Sequence, residues 1–147
     1  MDVEDLIGDF AYLDDWEDRY RYVIELGKTL TPLAAGDRSA ANKVKGCVSQ
    51  VWLASHVHAD EHGNTVLEFT GDSDAHIVRG LIAILFHIYS GKGAQDILGI
   101  DPRDIFHRIG LDEHLSPQRS NGLHAMVRRI RADAQAALSH PPLPASS

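Results

Sequence analysis

Residues from about 75 to 90 constrain the fold more than any other part of the sequence, because they form a helical pattern that is apolar on nearly every side. Such a helix is usually central and buried, so the other elements must pack around it. The preceding Gly71-Asp72-Ser73-Asp74 predicts its N-cap, and Gly91 is expected to end it. Its apolar residues are Ile77, Val78, Leu81, Ile82, Ile84, Leu85, Phe86, Ile88 and Tyr89.

The first third of the chain predicts two helices and a loop. Residues 3–13 have apolar side chains at helical spacing, and residues from about 16 to 30 repeat that pattern. The next stretch, 31–42, contains Pro32 and Gly36 and is typical of a loop.

Alternation of apolar and polar residues replaces the helical spacing between residues 49 and 58, which predicts a strand. Residues 61–64 predict a turn, and residues 65–70 predict the antiparallel partner strand. A third, short strand is a candidate at residues 42–45.

Two proline-containing pairs predict the helices that follow. Asp101-Pro102 is expected to start a short helix that stops at Gly110, and Ser116-Pro117 to start a last helix that runs to about residue 138. Helices, then a small antiparallel sheet of about three strands, then helices predict an α+β fold. We expect one domain over residues 1–139 and a disordered, Pro/Ser-rich tail over residues 140–147.

The charge and hydropathy of the chain exclude some partners. A net charge of −7 argues against nucleic acid, whose phosphates call for a basic surface. The longest apolar run, Leu81 to Phe86, is far short of a membrane span. The acidic start of the chain resembles neither a secretory signal nor a transit peptide, so we expect a cytoplasmic protein. Residues 1–18 hold eight acids and no Lys or Arg, an asymmetry that suits an oriented protein partner.

Cys47 is the only cysteine of the chain, so it forms no internal disulfide and cannot supply the set of thiolates that an iron–sulfur cluster usually needs. Gly46 favours a loop tip at this position. Lys43 and Lys45 are expected to favour the nucleophilic thiolate. A structural role remains an equal alternative, because free cysteine is among the most buried residue types.

Histidine and arginine supply the other candidate site residues. His56, His58 and His62 are candidate metal ligands, but no cysteine or carboxylate pattern completes a tetrahedral site, so we expect no metal. The sequence has no Gly-rich phosphate loop, and we expect no cofactor. Arg119 falls in the first turn of the last helix, where the helix dipole disfavours a cation. It is either a surface residue or has a separate task.

Three segments of the chain, taken together, resemble the SufE family of sulfur acceptors. The first runs from Lys43 to Leu53 around Cys47, the second from Gly71 to Leu81, and the third from Leu111 to Leu123. Met126 and Ile130 follow the third segment as they do in the family. The segments come in the family's order, and the resemblance covers residues from about 3 to 135.

The resemblance implies a fold shared with IscU-type scaffold proteins and a role in iron–sulfur cluster assembly. It implies that Cys47 accepts persulfide sulfur from a pyridoxal-phosphate cysteine desulfurase, stimulates that enzyme and delivers the sulfur to a scaffold complex. The chain would then be a transfer protein and desulfurase activator rather than an independent enzyme. The resemblance also implies that Arg119 lies near the cysteine loop, where its charge stabilises the thiolate.

Two other functions remain open, and the Cys47 loop carries a further expectation. An IscU-like cluster scaffold shares the implied fold but needs more than one cysteine, and a cysteine hydrolase needs a catalytic histidine that the sequence does not identify. The apolar Val44 and Val48 predict a loop tucked against the domain, so that Cys47 is shielded until a partner draws it outward.

Overall fold

The predicted helical and alternating segments fold as expected in a computed structural model, which describes residues 2–142. The helices are α1 (Val3–Ala11), α2 (Trp16–Gly27), α3 (His76–Tyr89), α4 (Ala94–Gly99), α5 (Arg103–Ile109), α6 (Leu111–His114) and α7 (Pro117–Ser139). The strands are β1 (Val51–Ala59), β2 (Thr65–Ser73) and β3 (Lys92–Gly93). The α+β class is therefore confirmed, while the short α4, α6 and β3 had no signal in the sequence analysis.

The sheet is antiparallel in the order β1-β2-β3. Val51 pairs with Ser73 at one end of the β1–β2 ladder, and Ala59 pairs with Thr65 at the other. The third strand is β3, so its expected position at residues 42–45 is wrong. That segment makes a single bridge, Lys43 to Trp52, before the chain leaves the edge of β1.

The predicted N-cap of α3 at residues 71–74 is also wrong. Strand β2 continues to Ser73, and the N-cap residue is Ala75, which makes no side-chain hydrogen bond. The polar side chains have long-range partners instead. Asp72 pairs with Arg38 and Arg79, so its carboxylate serves the tertiary structure rather than the helix.

Helices α1 and α2 end earlier than predicted, at Ala11 and Gly27, but hydrogen bonds support the predicted ends of later helices. Ser116 Oγ accepts from the Arg119 N–H at 3.3 Å at the start of α7. Helix α5 begins one residue later than predicted, with Pro102 as its N-cap residue, and Asp101 Oδ1 accepts from the Arg103 N–H at 3.0 Å. Gly110 ends α5 with a φ of 81°, a conformation that glycine adopts without strain.

Helix α3 lies at the centre of the core, as its all-round apolar pattern predicts. Ten of its 14 residues are buried. Helix α2 packs closely against α3. A Cβ at Gly80 would lie only 2.0 Å from the Val23 carbonyl oxygen, so the two backbones can approach this closely only because residue 80 is a glycine. A Cβ at Gly27 would lie 2.7 Å from the Gly80 nitrogen. The two glycines therefore fix the position of α3, whose Val78 and Leu81 face the site described below.

Helix α7 ends at Ser139, and most of the predicted tail, residues 143–147, lies outside the described residues. The single domain over residues 1–139 and the disordered tail stay predictions. Between residues 2 and 142, no helix is long and apolar enough to cross a membrane.

Candidate functional site

The loop that carries Cys47 is fixed at both ends by backbone hydrogen bonds. The Val44 N–H donates to the Val51 carbonyl at 2.8 Å, which ties the start of the loop to β1. The Gln50 N–H donates to Asp74 Oδ1 at 3.0 Å, which ties its end to the β2–α3 connection. Between these points the chain makes a tip at Gly46, whose φ is 90°. Cys47 is therefore held at the tip of a short, doubly anchored loop.

The tip of the loop rests on α7 at two of its small residues. The Cys47 thiol donates to the Gly122 carbonyl at an Sγ–O distance of 3.6 Å. A Cβ on Gly122 would lie 3.6 Å from that sulfur, and a Cβ on Gly46 would lie 3.4 Å from the Ala125 Cβ. Both distances are ordinary contacts, so a side chain larger than alanine at position 122 would hold the loop further from the helix.

A cavity of about 270 Å³ lies beside the Cys47 sulfur, between the loop, α3 and α7. Its apolar walls include Val78 and Leu81 from α3 and Leu123 and Met126 from α7. These side chains come from segments more than thirty residues apart, so the cavity exists only once α3 and α7 have packed. Ser49, Ser116 and Arg119 add polar groups to its lining, so the cavity offers a partly apolar space next to the candidate nucleophile.

The shielding expected from the two valines of the loop is half correct. Val44 is buried, with 5% of its surface exposed, but Val48 is 79% exposed. Cys47 between them is half-buried. Val44 thus anchors the base of the loop, whereas Val48 presents an apolar side chain to solvent one residue from the sulfur.

Burial raises the pKa of the Cys47 thiol above its ordinary value, and the positive charge of Arg128 acts in the opposite direction. Burial disfavours the charged form, so the expectation that Lys43 and Lys45 favour the thiolate stays a prediction. Both lysines are exposed. The closed loop therefore disfavours the thiolate, which is the nucleophilic form of Cys47.

The cation that acts on the thiol, Arg128, was missed as a site residue, because nothing in the sequence links it to a loop about eighty residues earlier. Arg119, the predicted site residue, lines the cavity beside Cys47, and its side chain is exposed. The structure thus brings Arg119 and Cys47 to the same cavity. The effect of Arg119 on the Cys47 thiolate stays a prediction.

An ionic cluster supports the strands below the loop. Asp72 pairs with Arg38 and with Arg79, the latter at 3.0 Å, and the Arg38 guanidinium stacks 5.0 Å from the centre of the Trp52 ring. Burial acts to raise the pKa of Asp72, but the Ser73 N–H and the two guanidinium groups outweigh it and lower that pKa. The cluster joins the segment before the loop to β1, β2 and α3.

The three candidate metal-ligating histidines do not come together. His56, His58 and His62 are exposed along the β1–β2 hairpin, and His56 Nε2 lies 3.0 Å from the Thr70 hydroxyl. A different exposed group has its ligand atoms within 4.8 Å of one another: His107, Asp112 and Glu113. His107 and Asp112 form a hydrogen bond of 2.8 Å, which accounts for the proximity of these two side chains. The same hydrogen bond raises the pKa of the His107 imidazole.

Comparison with known proteins places these residues in a wider context. A family model described as SufE, Fe-S metabolism associated domain, matches residues 4–134. The chain is 58% identical over 133 residues to an uncharacterised SufE-like protein of Rhizobium etli, a match that covers 90% of this chain and 89% of that protein. It is 56% identical over 136 residues to another from Rhizobium meliloti, covering 92% of this chain and 96% of the relative.

One solved structure is similar in fold. It is the solution structure of a hypothetical protein from Thermus thermophilus, with a TM-score of 0.73 and 21% sequence identity. The similarity covers 93% of this chain and 96% of that chain. At this identity the likeness concerns the fold alone, and it agrees with the α+β architecture described above.

Proposed function

This chain belongs to the SufE family, which is associated with Fe–S metabolism, and from that premise we propose that it accepts persulfide sulfur on Cys47 from a cysteine desulfurase. It then delivers the sulfur to a scaffold complex that assembles iron–sulfur clusters. The observation that carries the proposal is the position of the only cysteine, at the tip of an anchored loop and beside a cavity with apolar walls from α3 and α7.

The transfer is an exchange between a thiolate and a persulfide. The Cys47 thiol first loses its proton, and its thiolate attacks the outer sulfur of the persulfide on the desulfurase. A sulfur–sulfur bond forms at Cys47 while the bond to the desulfurase cysteine breaks, and that cysteine leaves with the electron pair as a thiolate. One thiol and one persulfide give one persulfide and one thiol, so no external oxidant or reductant is needed.

The cavity supports this role because it can accommodate the transferred sulfur. At about 270 Å³ it exceeds the roughly 10–15 Å³ that a single water molecule needs. The apolar side chains on its α3 and α7 sides reduce the contact of a bound sulfur with water and oxidants, to which an exposed persulfide or thiolate is sensitive. Arg128 and Arg119 on α7 supply positive charge for the anionic persulfide.

The same exchange accounts for stimulation of the desulfurase. The enzyme's own cysteine carries the product sulfur as a persulfide and cannot act again until that sulfur leaves. Transfer to Cys47 restores the enzyme's thiolate, so the acceptor raises turnover without a catalytic step of its own. This is the basis for describing the chain as an activator rather than as an independent enzyme.

Neither alternative function gains support from the site. A cluster scaffold needs several thiolate ligands, and the chain has one cysteine. A cysteine hydrolase needs a histidine close to the sulfur. Among residues 2–142, the side chains that line the cavity beside Cys47 include no histidine.

The test is sulfur transfer followed by mass spectrometry of the intact protein. Incubated with a cysteine desulfurase, its pyridoxal phosphate and free cysteine, the wild-type chain is expected to gain the mass of one sulfur atom on Cys47. The Cys47→Ser variant should gain none, yet still bind the desulfurase in a pull-down. Sulfur acceptance by that variant at the wild-type level would show that Cys47 is not the acceptor.

A further inference from the structure

Arg129 of α7 forms hydrogen bonds with the base of the Cys47 loop. Arg129 Nε donates to Asp133 Oδ1 at 3.1 Å. Its Nη2 is shared between two acceptors at 3.4 Å, the Asn42 side-chain oxygen and the Leu53 carbonyl. The guanidinium therefore connects α7 to the two chain segments that enter and leave the loop, here called the loop stem (residues 42–44 and 51–53).

Asn42 is the point at which the loop stem is assembled. Its carbonyl accepts from the Leu53 N–H at 2.9 Å, and its side-chain nitrogen donates to the Asp37 carbonyl at 3.1 Å. Asn42 thus joins the preceding segment to β1 five residues before Cys47. By binding both Asn42 and Leu53, Arg129 fixes this junction to α7.

Arg129 shares a face of α7 with the residues that contact the loop tip. Gly122, Ala125 and Arg129 follow one another at spacings of three and four, which align on one side of a helix. The first two contact Cys47 and Gly46 through small groups and a thiol hydrogen bond, which is a weak interaction. The hydrogen bonds that Arg129 makes at the stem are, by contrast, directional.

We propose that Arg129 is the positioning residue that holds the Cys47 loop closed on α7, an inference that rests on the proposed role of Cys47 as the sulfur acceptor. The residue touches neither the sulfur nor the cavity. It acts through the stem, and so determines how much of the time Cys47 lies sheltered against Gly122 rather than open to a reagent or to the desulfurase.

Removal of Arg129 alone would confuse positioning with folding. Its side chain is 24% exposed and that of Asp133 is 17% exposed. Asp133 Oδ2 is buried and has no hydrogen-bond partner among the described residues. The single variant would leave this carboxylate uncompensated, which is costly in a buried site. The test therefore removes both charges and compares the result with removal of Asp133 alone.

The experiment measures alkylation of Cys47 by iodoacetamide in the free protein, without a desulfurase. At pH 7.5 the Arg129→Met/Asp133→Ala variant is expected to react about tenfold faster than Asp133→Ala, the change expected from loss of one to two weak hydrogen bonds. Asp133→Ala itself should stay within about twofold of wild type, because Arg129 keeps its contacts with the stem. Circular dichroism confirms that the variants are folded.

The pH profile of alkylation separates positioning from charge. Opening the loop relieves the burial that raises the pKa of Cys47, so the double variant should react with a lower pKa. Arg128, whose charge acts on the thiol, and Arg119, which lines the cavity, are both retained, and the α3 residues of the cavity wall are uncharged. Arg129→Lys keeps the charge but loses the fork of donors, and should also react faster than wild type.

Two further variants make the inference refutable. Arg131→Met removes another partly buried arginine of α7, whose Nη1 donates to the distant Ile100 carbonyl, and should leave alkylation unchanged. Asn42→Ala removes the acceptor at the stem without stranding a charge, and should accelerate alkylation. If a folded Asn42→Ala and the double variant both react like wild type, or if Arg131→Met is equally fast, Arg129 has no positioning role. Either result leaves the acceptor role of Cys47 to be judged by the sulfur-transfer assay.

Discussion

The same substitution at two helical glycines should have opposite effects on stability. Gly8 lies inside α1 with nothing within 4 Å of a Cβ built on it, whereas a Cβ on Gly80 of α3 would lie 2.0 Å from the Val23 carbonyl oxygen. At Gly8, the change to alanine adds only the better helix propensity of alanine. At Gly80, the added methyl group also forces α2 and α3 apart.

The size of each effect follows from these distances. Alanine is favoured over glycine in a helix interior by about 0.8–1 kcal/mol, so Gly8→Ala should raise the free energy of unfolding by about that amount. Real Cβ contacts essentially never fall below 3.0 Å, so Gly80→Ala requires a shift of about 1 Å between packed backbones. Overpacking costs about 1–3 kcal/mol, occasionally more. With ten buried residues on α3, we expect the upper end and a net loss of about 2 kcal/mol.

Thermal unfolding followed by circular dichroism measures both variants. For a chain of this length, about 1 kcal/mol corresponds to about 2–4 °C. Gly8→Ala should therefore unfold about 2–4 °C above wild type, and Gly80→Ala at least about 4 °C below it. Equal melting temperatures for the two variants would refute the close approach of α2 and α3, and with it the account of how α3 is positioned under the cysteine.

Three further predictions concern the site and its supports. Gly122→Ala places a methyl group 3.6 Å from the Cys47 sulfur, an ordinary contact, so it should raise the melting temperature as Gly8→Ala does and also slow alkylation of Cys47. Arg128→Met should raise the pKa of Cys47 further and slow its alkylation at neutral pH, and Arg119→Ala should slow alkylation and sulfur acceptance without unfolding the chain. Because the pKa of Asp72 is lowered by folding, its contribution to stability is present above the unfolded carboxyl pKa of about 3.9 and is lost as pH falls through the folded value. Denaturant titrations below pH 4 should show a smaller acid loss for Asp72→Asn than for wild type.

Elements with a long, uniform pattern could be predicted from the sequence, because their burial is decided by their own residues. The all-round apolar α3 and the alternation in β1 are of this kind. The N-cap predicted at residues 71–74 was wrong because Asp72 and Ser73 are residue types that often cap helices. The arginines that bind Asp72 instead are brought to it only by the tertiary structure. Strand β3 consists of two residues, too few for any period, and is defined by its pairing with β2.

The residues of the candidate site also differ in how far the sequence alone could identify them. Cys47 could be identified from the chain because it is a single cysteine after a glycine in a distinctive segment. Its cationic neighbour Arg128 and its stem anchor Arg129 could not, since their roles depend on where the loop falls along α7. Gly122 did leave a signal, because a glycine inside a long helix costs stability and so indicates a close approach.

A raised pKa for Cys47 agrees with its proposed role as a sulfur acceptor better than the low pKa expected from nearby lysines. A permanently exposed thiolate would react with oxidants between encounters, whereas burial of Cys47 disfavours the thiolate. Each unit of pKa corresponds to about 1.36 kcal/mol and to a tenfold change in the thiolate fraction at neutral pH. A movement of the loop that relieves burial therefore increases both the exposure and the reactivity of the sulfur. The docking energy of a partner needs to offset only the few kcal/mol that hold such a loop closed. If the proposed function is correct, the reactivity of Cys47 would increase when the desulfurase docks.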